Sequence, residues 1–545
     1  MPDRRMVDAS GFSMRARQDV PRSRFEYRRG YKTTFDMAKL IPFFVEEILP
    51  GDSLKIDMTG LCRLATPLVP IMDNIFLDSF FFFVPNRLVW SNWERFMGEQ
   101  ATTADSTQFT IPSISIASTS ATVGTPENYM GIIAAAGADT YTINALPFRG
   151  MNLIWNDWFR DQDLQDPVTV ETDDGPDTIG QYTLLRRNKP PDYFTSCRPW
   201  PQKPVTGSAA TTTFNTNIFT PGGEFANSLS MGTQGAGAPI TGLGFESGTS
   251  PGTGASILET GSRTVTYASA WRTDEDTLFA RVGAGNFPDI RLLVNDLRTA
   301  VQLQHLMEKN ARGGTRYAEW VREQFGVNPE DARLQRPEYL GGGRSFIHIN
   351  PVAQTSASDI SGSATVLGEL AAVGTGVVQG HGFCSSFTEH GHVIGFLCVT
   401  AEQSYQAGVH RMWHRRTMYD IYVPALANLP EQAVLSRELW VDGSANDDTV
   451  FGYQERWAEY KMPLNMVTGG FQSHSATPLD QWHLAEHMAS RPSLNSAFIE
   501  HDPPVDRVLQ VDTIEGEQLL WDSNLHYTWV RCMPMFSIPG VTGRL

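Results

Sequence analysis

The sequence predicts a mainly β fold, a sandwich of short strands decorated by long insertions, and three observations carry that reading. Strand-like runs, either alternating or wholly apolar, recur between turn signals. Helical spacing is confined to a few stretches set between those runs. The 47 Gly and 33 Pro among 545 residues make a chain that turns often. Length alone, at ~150 residues per domain, suggests three or four domains. The 30 Phe, 15 Tyr and 13 Trp argue against a disordered chain.

From the amino terminus, residues 1–32 read as an extended basic arm with no helical period. In Asp52–Leu61, Leu54, Ile56 and Met58 alternate with Lys55, Asp57 and Thr59 after a Pro50-Gly51 turn, so one face of a strand is buried. Ile75–Val84 is Phe-rich and stops at Pro85-Asn86, which suits a strand buried on both faces. Trp90, Trp93 and Phe96 have the spacing of a short helix. Residues 203–265 are dominated by Gly, Ser, Thr, Ala and Pro, yet Phe214, Phe219, Phe225 and Phe245 punctuate them. They read as an excursion of turns and short strands rather than a linker. Ile290, Leu293, Val294, Leu297, Val301 and Leu306 form one helical stripe after Asp289, and Thr315 caps a second helix that closes at Gly326. Ser361–Gly382 is small and Gly-rich, His392–Thr400 and Tyr419–Val423 read as strands, and Leu479–Met488 reads as a short helix.

Charge and composition exclude several classes. The chain carries 43 basic and 60 acidic side chains, a net −17. Residues 1–32 hold nine basic groups against four acidic ones, so a basic arm is joined to a body of −22. The longest strongly apolar run, Phe80–Val84, is far short of the ~20 residues of a membrane helix, so no membrane insertion is expected. No secretory signal is visible at Met1–Arg5. Five Cys are not a disulfide scaffold, and a reducing cytoplasm is the expected site of synthesis.

Four motifs invite a chemical reading. His483-Leu-Ala-Glu486-His487 matches H-x-x-E-H, which on a helix puts both His on one face; zinc would still need a third ligand and an open position. The favoured reading is an ordinary surface helix, with a zinc hydrolase as the alternative function. His381, Cys384, Glu389, His390, His392 and Cys398 cluster without a zinc-site spacing, and polar residues at a loop-to-strand boundary are the simpler account. Gly341-Gly342-Gly343 lacks a phosphate-loop pattern and reads as tight packing. Arg411-Met-Trp413-His414-Arg415-Arg416 interleaves cations and an aromatic, which suits single-stranded nucleic acid; a contact between subunits with Trp413 buried is favoured over it. Nothing orders a Ser, a His and an Asp into a triad.

A set of ordered runs then carries a resemblance. Lys32–Asp36 (KTTFD), Phe44–Asp52 (FVEEILPGD), Arg63–Pro67 (RLATP), Ile71–Asn74 (IMDN) and Asp78–Trp90 (DSFFFFVPNRLVW) begin it. Asp192–Cys197, Trp200–Lys203, Ala311–Tyr317, Leu334–Gly342, Ile349–Thr355, Ser386–Gly391 and Phe451–Arg456 continue it. Together they resemble the major capsid proteins of microviruses, in the gokushovirus-like branch, over almost the whole chain. The resemblance implies a single eight-stranded jelly roll whose long inter-strand insertions contain helices. On it the organisation becomes a basic arm at 1–32 and a jelly-roll capsid domain at 33–545. That domain would be interrupted by a Gly/Thr-rich surface insertion at 205–285, a possible threefold protrusion, and by a helical insertion at 286–345. The implied function is a T=1 icosahedral shell around circular single-stranded DNA, part of the virion, with the surface insertion meeting a host receptor. It implies no enzyme, cofactor or metal. Its partners would be further copies of the chain, the packaged DNA and a small basic internal DNA-binding protein. The basic arm then nominates Arg15, Arg17, Arg22, Arg24, Arg28 and Arg29 as DNA-facing. His483 falls in a family-like run, but Glu486 and His487 do not, so the resemblance supports no metal site there.

Overall fold

The computed structural model describes residues 22–99, 102, 106, 108–135, 139–202, 303–305, 307–308, 335–355, 359–360, 363–364, 368, 370–510 and 517–536. Apart from Leu303, these belong to one unit made of Met1–Lys203 with Gln304–Leu545. Eight strands form its centre: β1 (Ser23–Phe35), β2 (Ile41–Ile48), β3 (Ser53–Leu64), β4 (Ile75–Pro85), β5 (Glu338–Ala353), β6 (Leu370–Ser386), β7 (Gly391–Ala401) and β8 (Leu519–Arg531). They pair in the order β1-β8-β3-β6-β5-β4-β7-β2, antiparallel throughout.

That order is two four-stranded sheets joined at a bend. The long strands β5 and β6 each serve both: Glu338–Ile347 pairs with β4, Ile347–Ala353 pairs with Leu370–Gly376, and Thr375–Ser386 pairs with β3. Apart from the step from β4 to β5, which pair as neighbours, the chain alternates between the sheet β1-β8-β3-β6 and the sheet β5-β4-β7-β2. Their inner faces meet as a sandwich, and this is the expected jelly roll. Phe44 on β2 stacks on Tyr527 of β8 with centroids 5.8 Å apart, and Phe81 on β4 meets Phe383 of β6 at 5.3 Å. A bulge in β2 opposite Gly395/Phe396 turns both Phe43 and Phe44 inward.

Strand β3 buries Leu54, Ile56, Met58, Cys62 and Leu64 and exposes Lys55, Asp57, Thr59, Leu61 and Arg63, the alternation its sequence predicts. Strand β4 is buried on both faces, again as predicted: Ile75, Leu77, Phe81 and Phe83 face the sandwich, while Phe82 and Val84 enter a second core. That second core lies under the helix Leu146–Ile154, which brings Leu146, Phe148, Met151 and Ile154 against Ile394, Phe396 and Cys398 of β7.

Two buried polar clusters hold this covering, one within it around Arg149 and one that ties it to the sheet at Asp78. Arg149 is fully buried and pairs with Asp177 through Nε–Oδ2 (2.7 Å) and Nη2–Oδ1 (2.5 Å). It also donates to the carbonyls of Val89 and Asp173, and the Tyr182 hydroxyl donates to Asp177. Burial pushes the Asp177 carboxyl up, and the hydrogen bonds from Arg149 and Tyr182 more than reverse this, holding it below the usual range. Asp78 on β4 accepts from Arg344 of β5 (2.6 and 2.8 Å) and from Arg187.

Several expectations are corrected. Ser361–Gly382 is not merely small and Gly-rich: from Leu370 it belongs to β6, and its glycines mark close approach. A Cβ on Gly382 would stand 1.9 Å from the Ile56 carbonyl oxygen. Gly380, at φ +72°, forms a bulge that turns His381 inward. Tyr419–Val423 is not a strand, because Asp420 accepts the amides of Arg416 and Thr417 and closes a turn. The Trp90–Phe96 spacing yields two four-residue helices, Asn86–Val89 and Trp93–Phe96, rather than one. The basic arm is a strand of the sheet from Ser23 onward. Of the 286–345 segment, Glu338 onward is strand; the stripe from Ile290 lies mostly, and the helix at Thr315 wholly, outside the described residues. So does the 205–285 insertion.

Two predictions follow from the buried polar groups. Arg149→Met leaves the Asp177 carboxylate buried and unpaired, and should cost about 3–5 kcal/mol in urea unfolding; adding Asp177→Asn should recover part of that loss. Burial holds the His392 imidazole down to about 4 and, with Lys189, Arg187 and Arg186 beside it, His501 down to about 3. Unfolded His titrates near ~6.5, so both groups favour the folded state fully above that pH. Stability should fall as pH drops from ~6.5, by about 1.4 kcal/mol per pH unit per histidine, until each folded-state value is passed. Thermal unfolding across pH 4–8 measures this, and His392→Gln should flatten the slope.

Candidate functional site

The two outer faces of the sandwich are treated differently. The face of β5-β4-β7-β2 lies partly under the second core. The face of β1-β8-β3-β6 is open: the outward side chains of β1 and β3 are exposed along the strands, with Leu520, Asp522, Asn524, Val377, Gln379 and Cys384 between and beside them. Strand alternation puts Arg24, Glu26, Arg28 and Lys32 of β1 on this face. Register sets Arg28 beside His526, and His526 beside Asp57.

Six basic or titratable basic groups, Arg24, Arg28, Lys32, Lys55, Arg63 and His526, thus share the face with Glu26, Asp57 and Asp522. Arg24 pairs with Glu26, Lys32 with Asp522 and Lys55 with Asp57. Arg28 and Arg63 have no ion pair among the described residues and supply its net positive charge. Arg29 points the other way and joins the edges of the two sheets through Glu46 (2.9 Å). Arg22 is exposed just ahead of β1, and Arg15 and Arg17 lie outside the described residues. The arm's charge excess therefore picked out part of this face. Lys55, Arg63 and His526 were missed, although the period-2 pattern of β3 already put Lys55 on its outer side.

The motifs with enzymatic overtones come apart. Leu479–Met488 is not a helix beyond the single turn Asp480–Trp482. The Leu484 amide goes to Asp73 and the Glu486 amide to the Ser404 carbonyl (3.0 Å), so the backbone donors a helix would use are taken. His483 is buried with both nitrogens engaged: Nε2 donates to the Phe471 carbonyl (2.8 Å), and Nδ1 accepts from the Ala485 amide (3.2 Å). Glu486 pairs with Lys189 (2.6 Å), and His487 is exposed.

The second cluster scatters too. His381 sits inside the sandwich between Ser79 (2.8 Å) and Ser345 (2.9 Å), and burial lowers its pKa. His392 donates to Asn86, Glu389 pairs with Arg87, His390 lies against the Trp93 ring, and Cys384 faces outward. The Cys398 thiol is buried and pushed up to about 12, far from a ligand thiolate. Among the described residues, no group of three His, Cys, Asp or Glu could hold a metal ion. Gly342 packs where a Cβ would stand 2.0 Å from the Ser79 carbonyl oxygen, the tight packing expected of the triple glycine.

What the geometry offers is a face-to-face sandwich, an open basic face and an anchored set of insertions, and comparison with known proteins identifies the class. The family model for phage capsid protein, the F protein, matches residues 13–541. The chain belongs to this capsid family. It is 41% identical to capsid protein VP1 of Bdellovibrio phage phiMH2K, over 96% of each chain. It is 36% identical to capsid protein VP1 of Chlamydia phage 1, also over 96% of each, and 32% identical to that of Spiroplasma virus 4 over 97% of each. The gokushovirus-like resemblance therefore stands. The capsid protein is a structural component of a virion and not an enzyme, and the zinc-hydrolase alternative falls with that assignment. No helix among the described residues is long and apolar enough to cross a membrane.

Because both His483 nitrogens are committed to protein partners, dialysis against a chelator should leave the thermal midpoint unchanged. Metal analysis of the purified capsid protein should find no stoichiometric zinc.

Proposed function

We propose that the capsid protein closes into a T=1 icosahedral shell around circular single-stranded DNA, with the open β1-β8-β3-β6 face turned toward the genome. The observation that carries this orientation is the asymmetry of the sandwich: insertions cover part of one sheet, while the other keeps an exposed face with Arg28 and Arg63 uncompensated. Cations facing a polyanion release its counterions and gain affinity without reading sequence. In sequence, Arg15 and Arg17 precede β1, the edge strand of this face, and would extend this role together with Arg22, Arg24 and Arg28. Arg29 is the weakest member of that set, because Glu46 already neutralises it. A −22 remainder keeps nucleic acid from adhering elsewhere. A small basic internal protein would share the neutralisation, and the 205–285 insertion would meet the host receptor.

Assembly rests on geometry: each copy buries surface against its symmetry mates until the shell closes. Size exclusion and negative-stain microscopy of the expressed chain should show one large uniform particle. Reversing Arg28 and Arg63 to Glu should leave particle formation intact and lower packaged DNA by half or more, read from nucleic acid extracted per particle. Unchanged DNA content would refute the inward orientation of this face.

A further inference from the structure

Beyond β7 the chain makes three single turns of helix in succession, Arg411–His414, Met418–Asp420 and Pro424–Leu426. Their inner side is firmly held. Arg411 donates to Glu438 (2.9 Å) and to the Ala433 carbonyl (2.8 Å), and Arg415 donates to Glu459 (3.1 Å). Glu438 and Glu459 are buried, and they also accept from Tyr193 (2.9 Å) and Gln432 (2.7 Å). Trp457 Nε1 donates to the Leu426 carbonyl (3.2 Å), and its ring meets Tyr422 edge-on.

The outer side is apolar. Trp413 is 73% exposed, Met418 69% and Tyr419 64%, and Ile421 and Tyr422 are exposed beside them. With large side chains presenting ~150–250 Å² each, these five leave roughly 600 Å² uncovered. That is the upper end of what a soluble monomer tolerates and most of the ~800 Å² per partner of a specific interface.

The charges decide between the two partners this segment suits by sequence. A single-strand nucleic-acid site needs free cations beside its stacking rings. Here Arg411 and Arg415 are spent on buried carboxylates beneath the surface, and the charges of Arg416 and Asp420 cancel within one turn. Arg456, the remaining cation beside the patch, is half-buried and held against the Tyr419 carbonyl (3.3 Å) and the Trp457 ring (4.8 Å), so an aromatic and methionine surface on a rigid support fits another protein surface. In a capsid family, that protein is a second copy of the chain.

We propose that residues 412–423 form a contact between neighbouring copies of the chain, with Trp413, Met418 and Tyr419 as its anchors. The inference rests on the shell reading above. Trp413 is exposed in the single chain, so the favoured sequence reading, in which it is buried between subunits, requires the assembled shell.

The test compares wild type with Trp413→Glu/Tyr419→Glu. The variant should fold, with the circular dichroism and thermal midpoint of the wild-type protomer, and yield at least tenfold fewer particles by size exclusion and negative stain. Normal particle yield would overturn the contact, as would normal yield with depleted DNA, which would make the patch a nucleic-acid site. A wild-type measurement guards against misfolding. Peroxide should oxidise Met418 in dissociated protomers and spare it in particles; equal oxidation in both would also overturn the contact. If wild type itself forms no particles, the shell reading fails first.

Discussion

The contact between two four-stranded faces is the constraint on which the rest of the chain depends. Phe44 on Tyr527 and Phe81 on Phe383 are packed across it, so that each sheet supplies the partners of the other. Burying one such side chain is worth about 1.5–3 kcal/mol, and several dozen buried residues share this core. The long strands β5 and β6 make the sheets one continuous surface, because each pairs with both halves. Glycine is needed where backbones or rings press most closely, at Gly342 and Gly382.

A sandwich so closed has few ways to hold long insertions, and the chain uses buried ion pairs. Arg149–Asp177 locks the 86–200 region internally, and Asp78 of β4, shared by Arg187 and by Arg344 of β5, fastens that region to the sheet. Such pairs add little net stability, since desolvating the charges offsets most of their attraction. Their contribution is position: a buried carboxylate tolerates only the arrangement that satisfies it. The same device recurs at Glu438 and Glu459, where carboxylates hold Arg411 and Arg415 from below and leave the apolar side of the excursion outward. The sandwich thus acquires one covered face, one open basic face and one anchored apolar excursion, three surfaces of different chemistry on a rigid frame.

Legibility in the sequence followed local periodicity. Leu54, Ile56 and Met58 announced β3, and the Phe run announced β4, because each pattern is set by which face is wet. Strand β6 was hidden, since Gly374, Gly376 and Gly382 carry no hydropathy signal and are chosen by neighbours distant in the chain. The H-x-x-E-H run misled for a related reason: Asp73 and Ser404 capture its backbone, and neither is near it in sequence.

By itself the sequence determined the β class, the buried and exposed sides of β3 and β4, the acidic body with a basic arm, and the family through runs spread along the chain. Tertiary structure alone decided which arginines stay free. Arg28 and Arg29 are neighbours in the chain, yet alternation sends one to the open sheet and the other to Glu46, a choice composition cannot register. Likewise, whether Arg411 and Trp413 present charge or an aromatic surface was settled by Glu438, 27 residues further along the chain. Pairing across such distances depends on the folded path, and a local pattern holds no record of it.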